Sequence, residues 1–136
     1  MVENPIARPY RPVDLDRSDF QKFPIPRLVD QLMAEKTFIE SGRTALSLVS
    51  AGGFASVLTV VRAGMRCDPH EAPVPGMLLG VRGRVTVTTK SDSDDPSAKI
   101  ELEEGEGLAL APGLRHDLEA ASDCAYLLVM GADTEG

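Results

Sequence analysis

The sequence of 136 residues contains no tryptophan, and aromatic residues make up only 4% of it. Its core must therefore be built mainly from aliphatic side chains and methionine. No apolar run approaches the roughly 20 residues that a membrane-spanning helix needs, so a membrane span is not expected. The stretch from Met1 to Pro9 lacks the apolar segment of a secretory signal, and a cytoplasmic location is the expectation.

Positive charge and cysteine are also scarce. The 14 Lys and Arg residues are outnumbered by 21 Asp and Glu residues, which gives a net charge of −7. Binding to nucleic acid needs clustered basic residues, and here they are scattered, so no nucleic-acid partner is expected. The two cysteines, Cys67 and Cys124, are too few for a disulfide framework and fit a reducing compartment. We expect them to be small buried apolar residues.

The chain divides by its patterns into residues 1–40, 41–131 and 132–136. Residues 1–25 are rich in Pro, Arg and Asp without a clear period, which predicts an extended arm. The arm either covers an edge of its own sheet or crosses to a partner subunit. Apolar residues at helical spacing after Pro26 predict one helix that ends at Ser41 and Gly42. The last residues are expected to be a frayed acidic tail.

Residues beyond Thr44 show a period of two and many β-branched side chains, which predicts a strand-rich domain. The predicted strands lie near residues 44–49, 55–62, 70–72, 77–82, 84–89, 99–102, 107–110, 115–120 and 124–130. The polar stretch 91–98 is predicted to form a hairpin tip between two of these strands. Many short strands with Gly and Pro turns indicate a β-sandwich or barrel. This pattern alone does not distinguish an immunoglobulin-like sandwich from a jelly roll.

Two spaced sets of residues carry more information than the strand pattern. The first set has the spacing Gly-x5-His-x-His-x3-Glu-x6-Gly, with Ala72 and Gly76 in place of the second His and the Glu. The second set has the spacing Gly-x5-Pro-x-Gly-x2-His, ends at His116, and has lost only its proline, to Ala111. The two histidines of the chain, His70 and His116, thus both occupy motif positions.

These spacings are the two motifs of the cupin superfamily, and the chain resembles a small single-domain bacterial cupin with an RmlC-like jelly roll. The resemblance covers about residues 44–130. It implies an all-β double-stranded β-helix barrel, here with an N-terminal arm and one short helix. Residues 41–44, 60–64, 70–73 and 116–120 look like a group of small bacterial cupins of unassigned function. Cupins often pair as dimers, so the resemblance also implies a homodimer.

Cupin activity usually rests on a metal held by three His and one Glu, and Ala72 and Gly76 cannot coordinate one. Alternation along the strands places Asp68 and His70 on one inward face. It places His116, Leu118 and Ala120 on another, with Arg115, Asp117 and Glu119 facing outward. Three interpretations stay open: a divalent transition metal held by His70, His116 and Asp68; polar anchors in a metal-free ligand pocket; or hydrogen-bonded core residues. Cys67 is the weaker ligand candidate, because regular alternation turns it outward.

Small residues in a row on one inward face predict a pocket. Ala72, Gly76 and Gly80 would form the floor of a cavity in the barrel mouth, with His70 and His116 as its polar groups. A methionine such as Met130 filling that space would exclude the pocket. The expected function is binding of a small molecule around the two histidines. The alternative is a metal-dependent oxygenase or isomerase with an incomplete ligand set.

Overall fold

The structure is a computed structural model that describes residues 22–51, 53–70, 75–90, 99–113 and 115–131, with the backbone alone at residues 51, 67–70 and 90. The helices are α1 (Ile25–Ala34) and α2 (Lys36–Ser41). The strands are β1 (Arg43–Ala51), β2 (Phe54–Val61), β3 (Arg66–His70), β4 (Gly76–Arg82), β5 (Arg84–Lys90), β6 (Lys99–Glu103), β7 (Gly107–Leu110), β8 (Arg115–Ala120) and β9 (Cys124–Gly131). The predictions for the arm up to residue 21, the hairpin tip 91–98 and the tail 132–136 lie outside the described residues.

The strands form two antiparallel sheets that pack face to face. One sheet has the order β1-β2-β9-β4-β7 and the other has the order β3-β8-β5-β6. The buried residues between them are mostly aliphatic, and they include Leu78, Val87, Leu118 and Tyr126. Crossing from sheet to sheet along the chain gives the double-sheet jelly roll that the resemblance implied. The all-β fold prediction is confirmed.

Of the nine strands in the described part of the chain, eight lie within two residues of their predicted limits, and β3 is the exception. The prediction began this strand at residue 70, whereas it begins at Arg66, and the predicted residues 71 and 72 lie outside the described residues. Its sequence contains Pro69, and its pairing with β8 shifts register between Cys67 and His70. A bulged strand loses the period-two pattern on which the prediction depended.

The two helices cover the outer face of the five-stranded sheet. Leu28, Val29 and Leu32 of α1 are buried against residues of β1 and β2 such as Leu46 and Leu58. Alternation in β2 separates the two cores, because Leu58 and Val60 face the helices whereas Val61 faces the barrel. None of the described helices is long and apolar enough to cross a membrane.

The single predicted helix is divided in two at Glu35. This residue has an extended backbone, with φ −72° and ψ 148°, and its side chain is buried. Oγ1 of Thr44 in β1 lies 3.5 Å from Oε1 of Glu35. Glutamate favours helices, so its local propensity gave no sign of the break, and packing against β1 overrides it. The second helix ends as predicted, with Gly42 in the left-handed conformation at φ 86°.

Two short connections define one end of the barrel. Gly83, with φ 70°, joins β4 to β5, and residues 121–123 join β8 to β9. Each connection crosses from one sheet to the other. Residues near the start of β4 and β8, and near the end of β5 and β9, therefore lie at the opposite end, which we call the histidine end because it carries His116.

Candidate functional site

The candidate site is a row of three residues across the four-stranded sheet. His116 on β8 is paired with His70 on β3 and with Thr89 on β5. His116 is only 5% exposed, and Leu118 and Ala120, which follow it on the same face of β8, belong to the barrel core. Directly opposed residues of an antiparallel pair share a face of the sheet. The register therefore assigns all three positions to the inward face, as the sequence predicted for His70 and His116.

Thr89 was not predicted from the sequence, although a signal for it exists. Val85 and Val87 alternate with threonines in β5, and both valines are buried in the barrel core. The same alternation places Thr89 on the inward face. Only the β5–β8 register, however, shows that Thr89 lies opposite His116.

Gly76 lies at the same end of the barrel, in the facing sheet. It is paired with Leu110 of β7 on one side and with Met130 of β9 on the other. A Cβ atom at position 76 would lie 3.5 Å from Cγ of Met130 and 3.2 Å from the backbone oxygen of Val129. The predicted floor is therefore lined by Met130 at this position, and it is not open space next to Gly76.

Gly80 is in a different environment from the one predicted. A Cβ atom at Gly80 would overlap the carbonyl oxygen of Glu103. The amide of Gly80 donates to the oxygen of Glu106 over 2.7 Å, and the amide of Gly105 donates to the oxygen of Gly80 over 2.8 Å. The absence of a side chain at Gly80 thus admits the β6–β7 turn and leaves no cavity. The third predicted floor residue, Ala72, lies outside the described residues.

The register of β3 removes the argument from alternation that grouped Asp68 with His70 as a metal ligand. Cys67 is paired with Leu118, whose side chain lies in the barrel core, and His70 is paired with His116. Two residues, Asp68 and Pro69, thus stand opposite the single residue Asp117. The regular alternation that grouped Asp68 with His70, and turned Cys67 outward, does not hold through this segment. Metal binding by Asp68 stays a prediction without that support.

Asp117 differs from the simple alternation predicted for β8. It lies on the face away from the barrel core, yet it is only 3% exposed. Its Oδ2 accepts a hydrogen bond from Nη2 of Arg66 over 3.0 Å. The two other residues predicted to face outward, Arg115 and Glu119, are exposed as expected.

The described residues around this row do not make up a complete set of metal ligands. A protein metal centre normally takes three or four protein ligands, and the sequence places two histidines in the row. Among the side chains that the structure describes, which do not include that of His70, no group of three His, Cys, Asp or Glu residues could hold a metal. The metal interpretation stays a prediction.

A surface cleft occurs at the other end of the barrel. It has a volume of about 410 Å³ and is lined by Gly83, Arg84, Glu103, Glu104, Ala121 and Ser122. Gly83, Ala121 and Ser122 belong to the connections that define the end opposite His116, and Arg84 and Glu103 are paired with each other beside Gly83. The cleft is therefore separate from the row of His70, His116 and Thr89.

Comparison with known proteins supports the fold alone. No protein-family model and no curated protein matches the sequence. A cupin superfamily protein from Desulfitobacterium hafniense has a similar structure, with a TM-score of 0.67 over 84% of this chain and 94% of that one, at 18% identity. An RmlC-like cupin from Shewanella frigidimarina is similar with a TM-score of 0.60, over 71% of this chain and 82% of that one, at 14% identity.

An enzyme is also among the similar structures. An oxalate decarboxylase from Lactobacillus farciminis, solved as a formate complex, has a TM-score of 0.61 at 18% identity. The match covers 71% of this chain and 30% of the enzyme. Together with the two sheets and the positions of the motif histidines, these likenesses show that the chain has the cupin fold.

Proposed function

We propose that this protein binds a small molecule at the histidine end of the barrel, through His70, His116 and Thr89. The observation that carries the proposal is the register, in which both histidines of the chain and a threonine form one cross-strand row. Two imidazoles and a hydroxyl supply both hydrogen-bond donors and acceptors.

The surroundings of the row limit the kind of ligand. The next residues on the same faces, Val87 and Leu118, are buried and apolar. Met130 lines the facing sheet beside Gly76, so the proposed site is the barrel mouth at the row itself and not the predicted floor. Binding sites for small molecules are typically apolar with a few placed polar groups, and barrel mouths are a common location. A ligand with one polar end and a small apolar body fits this arrangement. The oxalate decarboxylase that is similar in structure was solved with formate, which makes small carboxylic acids a suitable first probe.

A test uses protein purified without a metal-affinity tag and a fragment set of small carboxylic acids, amides and alcohols. Binding is measured as the rise in melting temperature, because a ligand of the folded state stabilises it. We expect at least one fragment to stabilise the wild type and to lose this effect in His116→Gln. Glu119→Gln is the control, because Glu119 lies on the same strand but is exposed. No stabilisation by any fragment, or equal stabilisation in His116→Gln, would contradict the proposal.

The alternative function is that of a metal-dependent oxygenase or isomerase, and it is favoured by the pairing of His70 with His116. Neutral imidazole is a common ligand of Zn, Fe, Ni and Cu. Elemental mass spectrometry of the same untagged protein separates the two functions. Near-stoichiometric metal that is lost in both His70→Ala and His116→Ala would favour the enzyme. Metal-free protein that binds fragments would favour the binding function.

A further inference from the structure

The position of His70 depends on one extra residue in β3. From Cys67 to His70 the chain advances three residues, whereas the paired segment of β8, from Leu118 to His116, advances two. Without the extra residue, continuous pairing from Cys67 would place Pro69 opposite His116. His70 would then stand opposite Arg115, on the other face of the sheet, because a slip of one residue reverses every side chain. The bulge is therefore a condition for the row of histidines.

An ion pair spans the two strands at this bulge. Asp117 is the residue of β8 that faces the bulge, and its carboxylate is bound by Arg66, the first residue of β3. Arg66 is paired in register with Glu119 but forms its ion pair diagonally with Asp117, over 3.0 Å. The side chain of Asp117 is 5% exposed and that of Arg66 is 62% exposed. Loss of the cationic partner would leave this buried carboxylate uncompensated, which is strongly destabilising.

We propose that Arg66 and Asp117 are positioning residues that hold the β3 bulge and thereby keep His70 opposite His116. The pair joins β3 and β8 on the face away from the barrel, directly behind the row. If the bulge were lost, the residues of β3 on one side of it would shift by one position against β8. A shift of the segment that contains Arg66 would change its diagonal approach to Asp117. The pairing of residues 70 and 116 concerns the backbone alone. The role of that pairing in ligand binding rests on the proposed function.

The experiment measures the register directly. In labelled protein, a cross-strand nuclear Overhauser effect (NOE) between the backbone protons of residues 70 and 116 reports their pairing, because paired residues have Cα atoms about 4.5–5.5 Å apart. We expect this NOE to weaken or vanish in Asp117→Asn and in Arg66→Met. It should return in Arg66→Lys, which restores a cation. Cross-strand NOEs between Arg84 and Glu103, on β5 and β6, should be unchanged in all variants.

Arg82→Met is the control, because Arg82 forms an ion pair with Asp30 over 2.8 Å, at a distance from the bulge and with an exposed carboxylate. The variants Arg66→Met and Arg66→Lys keep the test available if Asp117→Asn does not fold, since Arg66 is mostly exposed. Persistence of the 70–116 NOE in folded Arg66→Met, or its loss in Arg82→Met, would overturn the proposal.

Fragment binding by the same variants separates this proposal from the proposed function. Loss of the NOE together with an affinity reduced tenfold or more supports both. Loss of the NOE with unchanged affinity supports the register role and contradicts the histidine row as the binding site. An intact NOE with reduced affinity overturns the register role and leaves the binding function standing.

Discussion

Thr89 stands directly opposite His116 across β5 and β8, on the side of the histidine away from β3. His116 is therefore the central member of the row and has a polar neighbour on each flanking strand. This placement makes Thr89 a candidate ligand contact that the motif spacings do not include. It also gives the site a residue that can be changed without altering either histidine.

The change Thr89→Val removes the hydroxyl and keeps the branched shape. We expect fragment affinity to fall about tenfold, which corresponds to the loss of one hydrogen bond. The control is Thr88→Val, because Thr88 is paired with Asp117 and lies on the other face of β5. Equal affinity in Thr89→Val and the wild type would remove Thr89 from the site.

The close approach of Gly80 to Glu103 predicts a stability effect. In Gly80→Ala the new methyl group would overlap the carbonyl oxygen of Glu103, so the β6–β7 turn must move. We expect a loss of about 1–3 kcal/mol in the free energy of unfolding, measured by urea denaturation. Gly53→Ala is the control, since nothing lies within 4 Å of a Cβ atom there. If Gly80→Ala were as stable as Gly53→Ala, a pocket floor at Gly80 would again be tenable.

The helices are expected to unfold together with the barrel. Leu32 is fully buried between α1 and the outer face of the five-stranded sheet. We expect Leu32→Ala to lower the free energy of unfolding by about 2–5 kcal/mol. Ile39→Ala, at a side chain that is 61% exposed, should change it by less than about 0.5 kcal/mol. Helical and strand signals that melt separately in the wild type would contradict a joint core.

Much of the fold could be predicted from the sequence, because both motifs and the period-two pattern report local geometry. The strand β8 shows this most simply: its limits and its inward residues His116, Leu118 and Ala120 were all predicted. Glu35 shows where such reasoning ends. Its propensity favours a helix, and the break there arises from packing against β1.

The site was predicted less completely than the fold, for a reason visible in β3. Alternation assumes one residue of β3 for each residue of β8, and the bulge breaks that assumption between Cys67 and His70. Asp68 was grouped with His70 on that assumption. The position of Thr89 opposite His116 and the contact of Asp117 with Arg66 both depend on pairing between strands that are distant in the sequence. A single sequence does not display such pairing. Gly80 was predicted as open space because its neighbour, the backbone of Glu103, is likewise distant.

The central claim is that the two histidines act together as one binding site inside the barrel. The most direct test follows the ¹⁵N-labelled imidazole signals of His70 and His116 during titration with the fragment that stabilises the protein most. The account predicts that both imidazoles shift together with one apparent Kd, and that Thr89 shifts with them. A titration that moves only one imidazole, or moves residues of the Glu103–Glu104 cleft and neither histidine, would contradict it.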